Sequence, residues 1–193
     1  MSEQPGNHHR GSIRLKGYDY SQEGAYFTTI CTKGRAPYFD LYPQLSRIVQ
    51  SAWESLPALF PNVSLDVFVV MPNHVHGIIF VGATLAVAQE RAGVSSFGKL
   101  RTGSAPTFGT IIGSFKSLAT REWLAEIRNK DLDAVGSLWQ RNYYEHVLRS
   151  EQELTLAREY IVNNPLTWAI DHENPEHAID RVYTQEGDWL EGT

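Results

Sequence analysis

Read for the spacing of its apolar positions, the chain switches between two periods. Ala25 to Thr32 (AYFTTICT) is dense in β-branched and aromatic residues and reads as a strand. From Leu45 to Leu59 the period changes. Leu45, Ile48, Val49, Ala52, Trp53 and Leu56 recur at three- and four-residue steps, as on a helix with one buried face, and Pro57 and Pro61 close it. Leu65 to Val70 and Gly77 to Val81 are apolar runs of strand length. Pro72-Asn73 between them is a tight-turn signal, so the pair reads as a hairpin. Helical spacing returns from Thr110 to Arg128, at Ile111, Phe115, Leu118, Trp123 and Ile127. Leu132 to Ser137 is a polar connection, and Leu138 to Leu148 carries the aromatic β-formers of a fourth strand. Ser150-Glu151-Gln152-Glu153 has the form of a capping box, which opens a helix from Glu151 to about Asn163, ended by Pro165.

The order is β-α-β-β-α-β-α, an α+β chain. One four-stranded antiparallel sheet with helices on one face, a ferredoxin-like or split βαβ design, satisfies it economically. The last helix then lies across the sheet. Residues 1–11 form a polar N-terminal arm, 12–168 the domain, and 169–193 an acidic tail. Within the domain, residues 82–107 are rich in Ala, Gly, Ser and Thr with no sustained period. A stretch of that length reads as a loop or insertion, poorly ordered in isolation and dispensable for folding.

Composition changes the picture in two places. The chain has 193 residues and a net charge of −5, which argues against a nucleic-acid partner until the charge is located. Residues 1–150 hold fifteen Lys/Arg against twelve Asp/Glu, +3, whereas 151–193 hold two against ten, −8. The acidity belongs to the tail, and the mildly basic body permits phosphate contacts. Cys31 is the sole cysteine, which excludes an intrachain disulfide and a cysteine-built zinc site. With no visible signal peptide and no apolar run of membrane-spanning length, a cytoplasmic protein away from the membrane is expected.

His74-Val75-His76 is the clearest chemical feature. On a strand, residues two apart share a face, so the two imidazoles project side by side. Such a pair can hold one divalent cation. Two half-buried strand histidines without a metal are the bland alternative. Tyr160 and Asn164, four residues apart on the last helix, share a face. Tyr143 and Tyr144 are rival phenols facing opposite ways on a strand, with Tyr18 and Tyr26 more remote. His146 is either a proton acceptor or a hydrogen-bonded sheet residue. Arg14 and Lys16, set among Tyr18 and Tyr20, suit either an arm along a nucleic-acid backbone or a solvated terminus. Lys116 and Arg121 lie outside the apolar stripe of their helix, and the same two readings apply to them.

MPNHVHGII resembles the histidine-hydrophobic-histidine motif of the HUH endonucleases. GYDYSQEGAYFTTICTKGR, LWQRNYYEHVLRSEQEL and EYIVNNP are similar to the single-tyrosine transposases of insertion sequences, the IS200-like superfamily, and most of all to their REP-associated branch. The resemblance spans roughly Ser12 to Trp168, with Gly82 to Thr107 outside it. It implies Mg²⁺ or Mn²⁺ on His74 and His76, and Tyr160 as the nucleophile. Asn164 stands where many members place a glutamine as third ligand. The implied partner is hairpin-bearing single-stranded DNA, nicked and rejoined through a 5′-phosphotyrosine by a monomer or homodimer. Arg14, Lys16, Lys116 and Arg121 would supply DNA contacts. Two other readings stand beside it: a non-catalytic DNA- or RNA-binding module, since RNA-recognition sheets share the element order, and a metal phosphodiesterase that uses the histidine pair and water.

Overall fold

A computed structural model of the chain describes residues 23–82, 106–170 and 174. Four antiparallel strands, β1 (Gly24–Cys31), β2 (Val63–Val70), β3 (His74–Val81) and β4 (Tyr144–Leu148), form one sheet in the order β2-β3-β1-β4. Between β1 and β2 run α1 (Tyr38–Leu41), α2 (Pro43–Glu54) and α3 (Leu56–Leu59). Helix α4 (Phe108–Lys130) joins β3 to β4, and α5 (Glu151–Thr167) follows β4. This is the ferredoxin-like order expected, with β1 and β3 central. None of the described helices is long and apolar enough to cross a membrane.

Side chains alternate across the sheet, and each face has its own cover. Val75, Ile79 and Val81 of β3 join Tyr26 and Ile30 of β1 in the main core. That core is filled by Leu45, Val49 and Trp53 of α2 and by Ile111, Phe115 and Trp123 of α4. The opposite face presents Phe27, Ile78 and Leu148 to Leu154, Ala157 and Ile161 of α5. Helix α5 thus crosses the face that α2 and α4 leave open.

Gly77 shows how tightly the main core is set. A Cβ there would lie 2.5 Å from the Trp53 indole and 2.9 Å from the Phe68 ring. Trp53 is 1% exposed and stacks on Phe68 at 4.5 Å between centroids, so it has no room to retreat. The glycine after the histidine pair is there for close approach across the strand.

Several boundaries differ from expectation. The helix read over 45–59 divides at Ser55, whose hydroxyl bonds the Ala52 carbonyl at 2.8 Å, and Pro57 sits in the first turn of α3 rather than ending α2. Helix α4 starts earlier, where Thr107 accepts from the Thr110 amide, and ends at Asp131 in the left-handed region (φ 48°). The fourth strand is only Tyr144–Leu148, and Trp139 makes an isolated bridge to Thr32. Helix α5 does not stop before Pro165. It continues to Thr167, although proline removes the amide that would have bonded the Ile161 carbonyl. Beyond it, the Thr167 hydroxyl bonds the carbonyls of Asn164 and Asn163 at 3.2 and 3.5 Å. Trp168 then packs on His74, with centroids 5.8 Å apart. Tyr160 is therefore not in a terminal turn; about two turns of helix follow it. The 1–11 arm and nearly all of the 82–107 segment and the tail lie outside the described residues.

Candidate active site

His74 and His76 leave β3 on the α5 side and are 0% and 2% exposed. Their Nε2 atoms face each other at 2.8 Å. Each Nδ1 turns to a partner of its own: Asn73 Oδ1 at 2.7 Å for His74, and Thr29 Oγ1 at 2.9 Å for His76. Both rings are thus held from behind while both Nε2 atoms converge.

Helix α5 is placed over this pair by local chemistry. The Ser150 hydroxyl accepts the Glu153 amide at 3.1 Å, and the Glu153 carboxylate accepts the amide of Arg149 at 2.9 Å, one residue upstream of the usual capping-box position. Further along, Arg158 grips Asp66 Oδ2 through Nε at 2.7 Å and a terminal guanidinium nitrogen at 2.6 Å. Asp66 lies where the β2–β3 register shifts between Leu65 and Phe68, and its other oxygen accepts the Val67 amide at 2.9 Å. That irregularity in an edge strand docks the helix.

So placed, α5 sets Tyr160 against His76, and Trp168, just beyond the helix end, lies against His74, with Asn164 one turn from each along the same ridge. The Tyr160 ring packs edge-on against His76 at 5.1 Å and Phe27 at 6.0 Å, and the residue is half-buried. Asn164 is 2% exposed, and neither polar atom of its amide has a hydrogen-bond partner. Leaving a buried amide unsatisfied costs about 1–3 kcal/mol, so its position calls for a ligand.

The donor set fits a divalent cation. Bonds of about 2.1 Å to an octahedral ion place adjacent donors about 3 Å apart, close to the separation of the two Nε2 atoms. Two imidazoles and an amide oxygen suit a cation that accepts oxygen ligands, Mn²⁺ or Mg²⁺. Among the described residues no three His, Cys, Asp or Glu side chains cluster, and a third protein donor to a cation here would be of another kind. The Asn164 amide oxygen is that kind.

The other residues singled out in the sequence disperse. His146 turns to Glu153 at the start of α5, 3.6 Å away. Tyr144 packs on Phe27 from the α5 side, whereas Tyr143 lies on the opposite side against Phe108. The Lys116 ammonium donates to the carbonyls of Gln140, Asn142 and Arg141 at 2.9, 3.1 and 3.4 Å and sits over the Tyr143 ring. Burial lowers its pKa from 10.5 to about 8, with Cys31 acting the other way. Arg121, with Lys116, Thr120 and Arg128, lines an open groove of about 460 Å³ on α4. Arg14 and Lys16 lie outside the described residues. Sequence reasoning missed Thr29 and the second role of Asn73. Asn73 carried a signal only as a turn residue, and Thr29 only as a strand former.

A four-stranded ferredoxin-like sheet, with a histidine pair on a central strand and a tyrosine helix across it, is the architecture the element order implied. A solved structure bears the fold out: a REP-associated tyrosine transposase bound to a REP hairpin superposes with a TM-score of 0.50 at 16% identity, over 80% of this chain and 74% of that one. No family model matches the sequence. A Haemophilus influenzae protein of uncharacterised function is 39% identical over 179 residues, covering 86% of this chain and 93% of that protein, and the chain belongs to its family.

Proposed function

We propose that this protein is a transposase-like enzyme that nicks and rejoins hairpin-bearing single-stranded DNA through a tyrosine nucleophile. The observation that carries the reading is the convergence of the two Nε2 atoms on one sheet face with the Tyr160 ring packed against His76, one helical turn before the buried, orphaned Asn164 amide. The neighbour's REP hairpin supports the choice of substrate. An RNA-recognition sheet would need open aromatics for bases to stack on. Here Phe27 is 1% exposed beneath α5.

His74, His76 and Asn164 would hold Mg²⁺ or Mn²⁺. Such a cation, when bound, withdraws charge from a phosphodiester and stabilises the added negative charge during displacement. The chain's own residues do the rest. Phe27 and His76 hold the Tyr160 ring edge-on, which limits its rotation, and the residue is half-buried. That oxygen forms a bond to phosphorus as the bond from phosphorus to the 3′ oxygen breaks. The phenol proton is released to solvent, and the leaving oxygen takes up a proton to become a 3′-hydroxyl. The bond energy stays in the 5′-phosphotyrosine, so the strand can be rejoined without ATP. Cationic groups along α4, Arg121 and Arg128 among them, would follow the phosphate backbone.

The test is incubation with single-stranded oligonucleotides drawn from the DNA flanking its own gene, with and without Mn²⁺. The parent should cleave a hairpin-bearing strand only with the cation, and His76→Ala should bind that strand but leave it whole. Equal cleavage by His76→Ala would refute the assignment of the histidine pair.

A further inference from the structure

We propose that Asn73 is a positioning residue for the histidine pair: anchored by the main-chain carbonyl of Arg35, its side-chain oxygen holds His74 with the proton on Nδ1 and the lone pair of Nε2 aimed into the site. This rests on the reading of His74 and His76 as cation ligands and goes one layer behind them.

The assignment follows from which atoms can donate. Asn73 is fully buried, and its Nδ2 lies 3.2 Å from the Arg35 carbonyl. A carbonyl only accepts, so the amide nitrogen must face Arg35 and the amide oxygen must face His74. That oxygen also only accepts, and at 2.7 Å it requires a proton on His74 Nδ1. Neutral His74 then has a bare Nε2, the form a metal needs. The main chain secures Asn73 as well, since its carbonyl accepts the Thr32 amide and the Thr32 hydroxyl, each at 2.9 Å. Arg35 adopts a left-handed φ of 55°, uncommon for a residue other than glycine, and it is the residue whose carbonyl meets the Asn73 amide.

His76 is set differently. In the neutral pair, the 2.8 Å contact is a hydrogen bond from His76 Nε2–H to His74 Nε2, and His76 Nδ1 accepts the Thr29 hydroxyl. With both Nε2 atoms given to a cation, His76 carries its proton on Nδ1 instead. The Thr29 hydroxyl, which accepts as readily as it donates, turns to receive it. His74 is preset by an amide that cannot change roles, and His76 adapts through a hydroxyl that can.

Nitrogen-15 NMR of the imidazoles in the cation-free protein reads the tautomer directly, and calorimetric titration with Mn²⁺ reads affinity. The parent should show His74 protonated at Nδ1. Asn73→Leu keeps the size without the acceptor, and should release that tautomer and weaken Mn²⁺ binding about 10–100-fold. Asn73→Asp keeps an acceptor towards His74 while losing the donor to Arg35, and should bind Mn²⁺ less tightly than the parent but more tightly than Asn73→Leu. An unchanged tautomer and affinity in Asn73→Leu, or an Asn73→Asp as weak as Asn73→Leu, would overturn the proposal. Should Asn73→Leu not fold, the parent's His74 tautomer and the Asn73→Asp titration decide the matter. A His74→Ala variant that binds Mn²⁺ as tightly as the parent marks a different failure, that of the cation reading itself.

Discussion

On β3, His76 and Gly77 are neighbours in sequence and face opposite sides of the same sheet. Gly77 faces Trp53 and Phe68, which pack with Phe115 as large rings stacked or edge-on at 4.5 to 6.4 Å between centroids. His76 faces Thr29, His74 and Tyr160, where buried polar groups meet in a small space. The first side is an ordinary close-packed interior, stabilised by apolar area taken from water. The second buries Thr29, His74, His76 and Asn164 beneath α5, an arrangement that contributes little to stability by itself. One side supports the fold so that the other can hold groups that packing alone would not favour.

The contrast can be broken from either side. Gly77→Val should have the largest effect on stability, about 3 kcal/mol lost in urea unfolding, because the added carbons meet rings that cannot move. A loss below about 0.5 kcal/mol would show that the Trp53 side is not close-packed. His76→Ala, one residue away, should cost only about 1 kcal/mol, while DNA cleavage disappears. The pair of variants separates stability from chemistry along a single strand.

A pH-dependent effect concerns Lys116, on the α4 side. Its folded pKa is near 8 against an ordinary 10.5, so between those values the unfolded chain holds more protons than the folded one. Stability therefore rises with pH across that window and is flat in this term below it. Thermal melts of the parent and of Lys116→Met at pH 8 and 10.5 should diverge, with the parent gaining on the variant as pH rises. Parallel curves would mean that the ammonium is not held in a desolvated position.

Much of this was legible in the sequence because the signals are local. Leu45, Val49 and Trp53 mark a helix face by spacing, and His74 and His76 share a side because strand side chains alternate. Tyr160 and Asn164 fall on one ridge by the same logic at helical period. What escaped depends on contacts distant in the chain. Pro165 reads as a stop, yet α5 passes through it to bring Trp168 onto His74. Asp66 looks like a polar interruption of a strand, and its role comes from Arg158, far along the chain. Asn73 looks like a turn former, and nothing local ties its amide to Arg35 or its oxygen to His74.

The central claim is that the phenol of Tyr160, and not water or another tyrosine, attacks the DNA. The direct measurement is mass spectrometry of the protein after reaction with a hairpin-bearing single strand and Mn²⁺, followed by digestion with nuclease and protease. The account predicts a phosphonucleotide adduct on the peptide containing Tyr160, absent in Tyr160→Phe, which should keep its fold and DNA affinity because only one oxygen is removed. An adduct on Tyr143 or Tyr144, or cleaved DNA with no protein adduct at all, would contradict it.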